Sequence, residues 1–139
     1  MRWQVTRQAH DAMVAHARDC LPKECCGLLL GANGAIVEAR AARNVHPDAA
    51  RRFEIDPVAL IAAHRASRSG GLQLVGYYHS HPAGAPAPSR TDREMAAGDG
   101  MVWAILAPDG EAWQVGFWLD GKRGFGRADV SLLPAASLP

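Results

Sequence analysis

At 139 residues the chain is one domain's worth of sequence, long enough to bury about 70% of the surface its unfolded form exposes without the help of disulfides. Its 15 basic and 14 acidic residues are scattered rather than blocked and leave a formal charge of +1, so it carries no charge footprint of a nucleic-acid or membrane surface. No apolar run approaches the ~18 residues of a bilayer span and no charged leader precedes one, which reads as a soluble, unprocessed, cytoplasmic protein.

Trp3 and Val5 alternate with polar neighbours as a short first strand. Thr6 then caps a helix carrying Ala9, Met13, Ala17 and Cys20 at helical spacing, and Pro22 ends it. The three cysteines, Cys20, Cys25 and Cys26, are odd in number and crowded, which suits buried thiols in a reducing compartment. Cys25 to Leu30 is a continuous apolar run, Asn33-Gly34 is a hairpin turn, and Ile36 and Val37 open the returning strand. Residues 44–54, with Pro47 and the pair Arg51 and Arg52, read as an irregular and flexible connection, after which Phe53 and Ile55 can add to a sheet edge.

Asp56-Pro57 starts a helix that carries Leu60, Ile61 and His64 and stops at Gly70-Gly71. Leu72 to His81 is a strand with apolar residues on both faces, hence central; strict alternation puts Val75, Tyr77, His79 and His81 on one face and Leu74, Gly76, Tyr78 and Ser80 on the other. A Pro/Gly loop, a helix from Ser89 to about Ala97 and a strand Met101 to Leu106 follow. Pro108-Asp109-Gly110 then turns into a strand Ala112 to Leu119, and Asp120-Gly121 turns toward Phe125. The expected order is βαββαβαβββ, a single α/β domain over residues 1–132 with a disordered tail over 133–139.

His79 and His81, two apart on a strand, point the same way, so their imidazoles can reach one ion. Ser89 and Asp92 have the spacing of a capping box, and such a cap also aims Asp92 from the helix start toward the strand end. Asp92 then supplies a third, oxygen ligand. Two imidazoles and one carboxylate leave the fourth position of a tetrahedral zinc for water, a catalytic donor set; the chain has no C-x-x-C pair of the structural kind. Hydrolysis also needs a group that takes and returns a proton. Glu24, where the first helix has ended and the buried strand begins, is the candidate, against the plain alternative of a solvated glutamate.

The segment from Pro22 through Glu24-Cys25-Cys26-Gly27 to Gly31, with His79-Ser80-His81-Pro82 and Ser89-x-x-Asp92 downstream and Asn44…Phe53-x-Ile55-Asp56 between them, resembles the JAMM (MPN-plus, Mov34/PAD-1-like) zinc metalloproteases, in particular their short prokaryotic members. The resemblance implies a cytidine-deaminase-like mixed β-sheet sandwiched by helices. It also implies that Glu24 is the general base and acid, that His79, His81 and Asp92 hold one zinc per chain, and that Ser89 hydrogen-bonds near the reacting carbonyl. Family members cleave peptide or isopeptide bonds after the C-terminal glycines of ubiquitin or ubiquitin-like proteins, and short bacterial ones trim sulfur-carrier proteins to a Gly-Gly end. A substrate tail would lie extended beside a strand edge, with Arg51, Arg52 and Phe53 as candidate contacts. The oligomeric state is open, a homodimer included.

Three other readings are set against this one. A non-catalytic MPN-type interaction module would lack the ligands, and all are present here. His81-Pro82-x-Gly84-x-Pro86-x-Pro88-Ser89 also resembles the loop of a RadC-like DNA-associated protein, but the Glu24-Cys25-Cys26-Gly27 start and the even charge balance oppose it. A zinc deaminase requires H-x-E with P-C-x-x-C, which the sequence lacks.

Overall fold

A computed structural model describes residues 2–133. Its elements are β1 (Arg2–Thr6), α1 (Arg7–Cys20), β2 (Cys26–Ala32), β3 (Ala35–Ala42), α2 (Pro57–Arg68), β4 (Gln73–Ser80), α3 (Arg90–Met95), β5 (Val102–Asp109), β6 (Ala112–Gly121), β7 (Gly124–Arg127) and β8 (Asp129–Leu133). The strands form one mixed sheet in the order β7-β6-β5-β4-β2-β3-β1-β8. β4 lies in the middle, antiparallel to β2 and parallel to β5, as its two-sided apolar character requires.

Each face of the sheet has its own core. On one, Ala9, Met13 and Ala17 of α1 pack against Leu29, Ile36, Tyr78, Val102 and Leu106; on the other, Ala63 of α2 packs with Leu28, Leu30, Phe53, Ile55 and Trp103. β2 feeds both in alternation, so its run is apolar without interruption. Gly27 is fixed by the same packing, because a Cβ there would sit 2.2 Å from the Tyr78 ring and 2.5 Å from Arg40 O.

Local signals place the helix starts and the first hairpin. Thr6 accepts the Ala9 N–H at 3.1 Å and Asp56 accepts that of Val58 at 3.0 Å, with Pro57 in the first turn. Asn33 and Gly34 both take positive φ, 55° and 77°, which the two-residue hairpin between β2 and β3 demands.

Several expectations are corrected. A bulge in β4 shifts its register with β2 between Leu29 and Leu30, so Leu74 joins the cluster of Tyr77 and Val75 that of Tyr78, against strict alternation. Pro108 does not open a turn. It lies within β5, beyond the Val102–Leu106 stretch that β4 pairs, where a missing N–H costs no bond to that neighbour. α3 stops at Met95 rather than near Ala97, and Cys20 is only half buried, unlike Cys25 and Cys26. Leu133 ends β8, a strand the sequence reading did not include, which pairs with β1; the remainder of the expected tail lies outside the described residues. Among the described residues no helix is long and apolar enough to cross a membrane.

Candidate metal centre and active-site cleft

The site forms where β4 ends beside the start of β2. Cys26 pairs with His79 in the antiparallel register, and the pairing is extended by reciprocal bonds in which Cys25 N–H donates to Ser80 Oγ at 2.8 Å and Ser80 N–H donates to Cys25 O at 3.1 Å. The next residue back on that side is Glu24. On the other flank His81 N–H donates to Leu106 O at 2.7 Å, prolonging the parallel ladder one residue past β4.

His79 Nε2 and His81 Nε2 lie 3.1 Å apart, and Asp92 brings Oδ1 to 3.1 Å of the first and Oδ2 to 3.2 Å of the second. The three donor atoms fall within 4.8 Å of one another, and the residues are the one metal-ligand group found among those described. Each donor is aimed by a second contact. His81 Nδ1 bonds Ala85 O at 2.8 Å, which makes Nδ1 the protonated nitrogen of a neutral ring and leaves the Nε2 lone pair for the cluster. Phe53 stacks on the His79 ring at 4.2 Å, with Trp103 edge-on at 5.7 Å. Asp92 is held by a complete capping box: its N–H donates to Ser89 Oγ at 3.0 Å and its Oδ2 accepts Ser89 N–H at 2.9 Å. His79 Nδ1 itself has no partner among the described residues.

The electrostatics follow from this crowding. Burial pushes the His79 imidazole toward its neutral form, more than Asp92 can offset. For His81 burial acts the same way, but the hydrogen bonds to Asp92 and Ala85 O outweigh it and raise its pKa. Burial would raise the Asp92 carboxyl too; the two histidines and Ser89 N–H instead hold it well below the usual carboxylate range. Two neutralisable imidazole nitrogens and an ionised carboxylate fit a divalent cation of the zinc type, and three protein donors are one fewer than a tetrahedral ion takes.

Glu24, 7% exposed, is pushed up to about 7, chiefly by burial, with Asp92 and Asp48 adding to the rise and His81 opposing it. It lines a cavity of about 460 Å³ together with Arg51, His81, Gly84 and Ser89.

Residues 6–118 match the family model described as prokaryotic homologs of the JAB domain. The chain belongs to that family. The desampylase of Haloferax volcanii is 37% identical over 115 residues, spanning 78% of this chain and 83% of its own. A probable TtuB-protein conjugate cleaving protease of Thermus thermophilus is 35% identical over 105 residues, 70% of each chain. The solution structure of DSY2949 from Desulfitobacterium hafniense aligns with a TM-score of 0.82 at 28% identity, over 96% of this chain and 94% of that one. This JAB-family chain is therefore a hydrolase of the peptidase type, and its α/β architecture is the one the resemblance implied.

Of the residues singled out from the sequence of this JAB protein, Glu24, His79, His81, Ser89 and Asp92 are brought to one place. The three candidate substrate contacts are not. Arg51 faces the cleft; Phe53 is buried behind His79 and lines a separate apolar cavity of about 240 Å³ with Leu60, Tyr77, Met95 and Trp103; Arg52 is exposed and lines neither. The 44–54 connection is pinned rather than loose, through Asn44. Two further residues had gone unremarked: Trp118 Nε1 donates to Pro86 O at 3.1 Å, and a Cβ on Gly116 would sit 2.0 Å from that same oxygen. Together they let β6 hold the loop that bears Ala85, the partner of His81. A contact across 32 residues leaves no local mark in a sequence.

Proposed function

We propose that this protein is a zinc-dependent peptidase or isopeptidase that hydrolyses the bond after the C-terminal Gly-Gly of a ubiquitin-like or sulfur-carrier protein. One observation carries the reading: the buried Glu24 carboxyl lines the same cleft as His81, a donor of the three-residue N,N,O cluster. The relatives named a desampylase and a TtuB-conjugate cleaving protease supply the substrate class.

His79, His81 and Asp92 would hold one zinc. The chemistry such an ion supplies when bound is Lewis acidity, which acidifies water and polarises a carbonyl at the same point. Glu24 accepts the proton of the attacking water and returns it to the leaving nitrogen. A pKa near 7 suits both directions, and a neighbouring cation makes the carboxyl proton easier to lose. Ser89 Oγ accepts the Asp92 N–H through a lone pair, so its own hydrogen stays available for the reacting carbonyl. Arg51 stands at the cleft for an acidic partner surface, and the apolar cavity beyond Phe53 suits a nonpolar residue upstream of the glycines. A Gly-Gly tail, free of side chains, would lie extended beside a strand edge on its way to the cluster.

The test is to incubate zinc-loaded protein with a ubiquitin-like carrier extended past Gly-Gly and follow the carrier's mass. Release of the extension with a new Gly-Gly terminus is the expected result; an intact carrier, or cleavage elsewhere in the tail, would overturn the assignment.

A further inference from the structure

Glu24 lies just outside the ladder that holds the rest of its strand. β2 begins at Cys26, and Cys25 is clipped to Ser80 by two bonds. The backbone of Glu24 has other partners: its N–H donates to Ala49 O at 2.8 Å, and its carbonyl accepts from Asn44 Nδ2 at 3.0 Å. Both come from the segment between β3 and α2. The carboxyl is thus mounted on a loop, not on the sheet.

The same asparagine closes that loop. Nδ2 also donates to Arg52 O at 2.9 Å, while Oδ1 accepts the N–H of His46 and of Glu54, each at 3.1 Å. Around it Val45 N–H donates to Glu54 O, Asp56 N–H donates to Arg43 O, and Asn44 bridges to Ile55. An amide offers two hydrogens and two lone pairs, and all four are used. Two carbonyls on one side and two N–H groups on the other fix both its orientation and its chemical type. Aspartate has the same size but no hydrogen for Glu24 O or Arg52 O.

We infer that Asn44 is the positioning residue for Glu24, setting the place of the carboxyl and the closed shape of the Arg51-bearing loop through one side chain. The inference rests on the assignment of Glu24 as the acid–base group. A misplacement of about 1 Å at such a group can cost on the order of 100-fold in rate, so the mount matters to turnover even though Asn44 touches no reacting atom.

Asn44→Asp keeps the two accepted bonds and deletes the two donated ones; Asn44→Ala deletes all four. In the zinc-loaded protein, amide exchange followed by NMR should show protection at Glu24 N–H reduced about tenfold or more in Asn44→Asp, with Leu28 to Leu30 still protected. Zinc stoichiometry should be unchanged. With the Gly-Gly-extended carrier, kcat should fall about 10- to 100-fold, and any rise in KM through the Arg51 loop should be smaller than that fall. Unchanged Glu24 protection in both variants would overturn the mount. So would a rise in KM at constant kcat, or loss of protection across β2 together with loss of zinc in both variants. A parent protein that leaves the carrier intact would count against the proposed function, while the exchange data would still decide the role of Asn44.

Discussion

His79, His81 and Asp92 meet across at most 13 residues of chain, from a strand end and a capped helix start, whereas Glu24 reaches the same cleft through a sheet register and a loop that returns only at Ile55. The first half is held by short-range structure: an i, i+2 strand face, a capping box and a histidine bonded four residues ahead. The second is held by long-range structure, with Glu24 mounted on Ala49 and Asn44. Phe53 from that loop and the Trp118–Pro86 bond also brace the histidines, but the hydrogen bonds that aim the donors differ from those that mount Glu24, so substitutions should separate ion binding from proton transfer.

The largest effect is expected from breaking the short-range half. A His79→Ala, His81→Ala double variant should lose bound zinc and fall in turnover by more than the ~100-fold that loss of one outer-shell partner costs. Metal analysis after dialysis measures the first and the carrier-mass assay the second. A full complement of zinc in the double variant would remove these residues from the metal site.

Glu24→Gln should give the opposite pattern. The amide keeps the shape of the side chain but cannot carry the proton, so turnover should drop about 10²- to 10⁴-fold while zinc content stays that of the parent. Retained cleavage would sink the proton shuttle and leave Glu24 as a buried carboxyl with no role in the reaction.

The same division explains what could be read from the sequence. His79 and His81 are visible because strand periodicity is local, and Ser89 and Asp92 because a capping box spans four residues. Glu24 was legible from its residues only as a charge at the start of an apolar run, and its role came from the family resemblance. Its supports were not: Asn44 is one polar residue in an irregular stretch, and no periodicity announces that its amide will meet four partners. That Phe53, offered as a substrate contact, also stacks on the His79 ring was not legible, since burial of an aromatic beside a loop depends on how the loop closes. The bulge at Val75 escaped notice because one extra residue in a strand changes faces without changing composition.

Ser89→Ala tests the one residue that serves both the cap and the proposed chemistry. Loss of the cap alone should cost about 1 kcal/mol of stability, seen in denaturant unfolding. Loss of a hydrogen-bond donor to the reacting carbonyl should add a fall in turnover of about 100-fold with zinc occupancy little changed. Equal losses of zinc and turnover would assign Ser89 to the cap only.

The smallest effect concerns Cys25 and Cys26, which lie where the two halves join, one adjoining Glu24 and the other paired with His79. Both thiols are buried, and burial pushes each up to about 12 from an ordinary value near 9. The folded protein keeps these protons where the unfolded chain gives them up. Their contribution to stability is therefore fully present below pH 9 and is lost as pH rises from 9 toward 12. For each thiol the slope approaches about 1.4 kcal/mol per pH unit once the unfolded chain is ionised. Guanidinium unfolding between pH 8 and 10, a window below the ionisation of most tyrosines, should show the decline, and Cys25→Ala should roughly halve it. A decline that persists undiminished in Cys25→Ala would place its origin elsewhere. Since Cys25 N–H and O are both tied to Ser80, the alanine variant should keep the zinc site intact, which makes the slope a measure of the thiol's seat and not of a disturbed cluster.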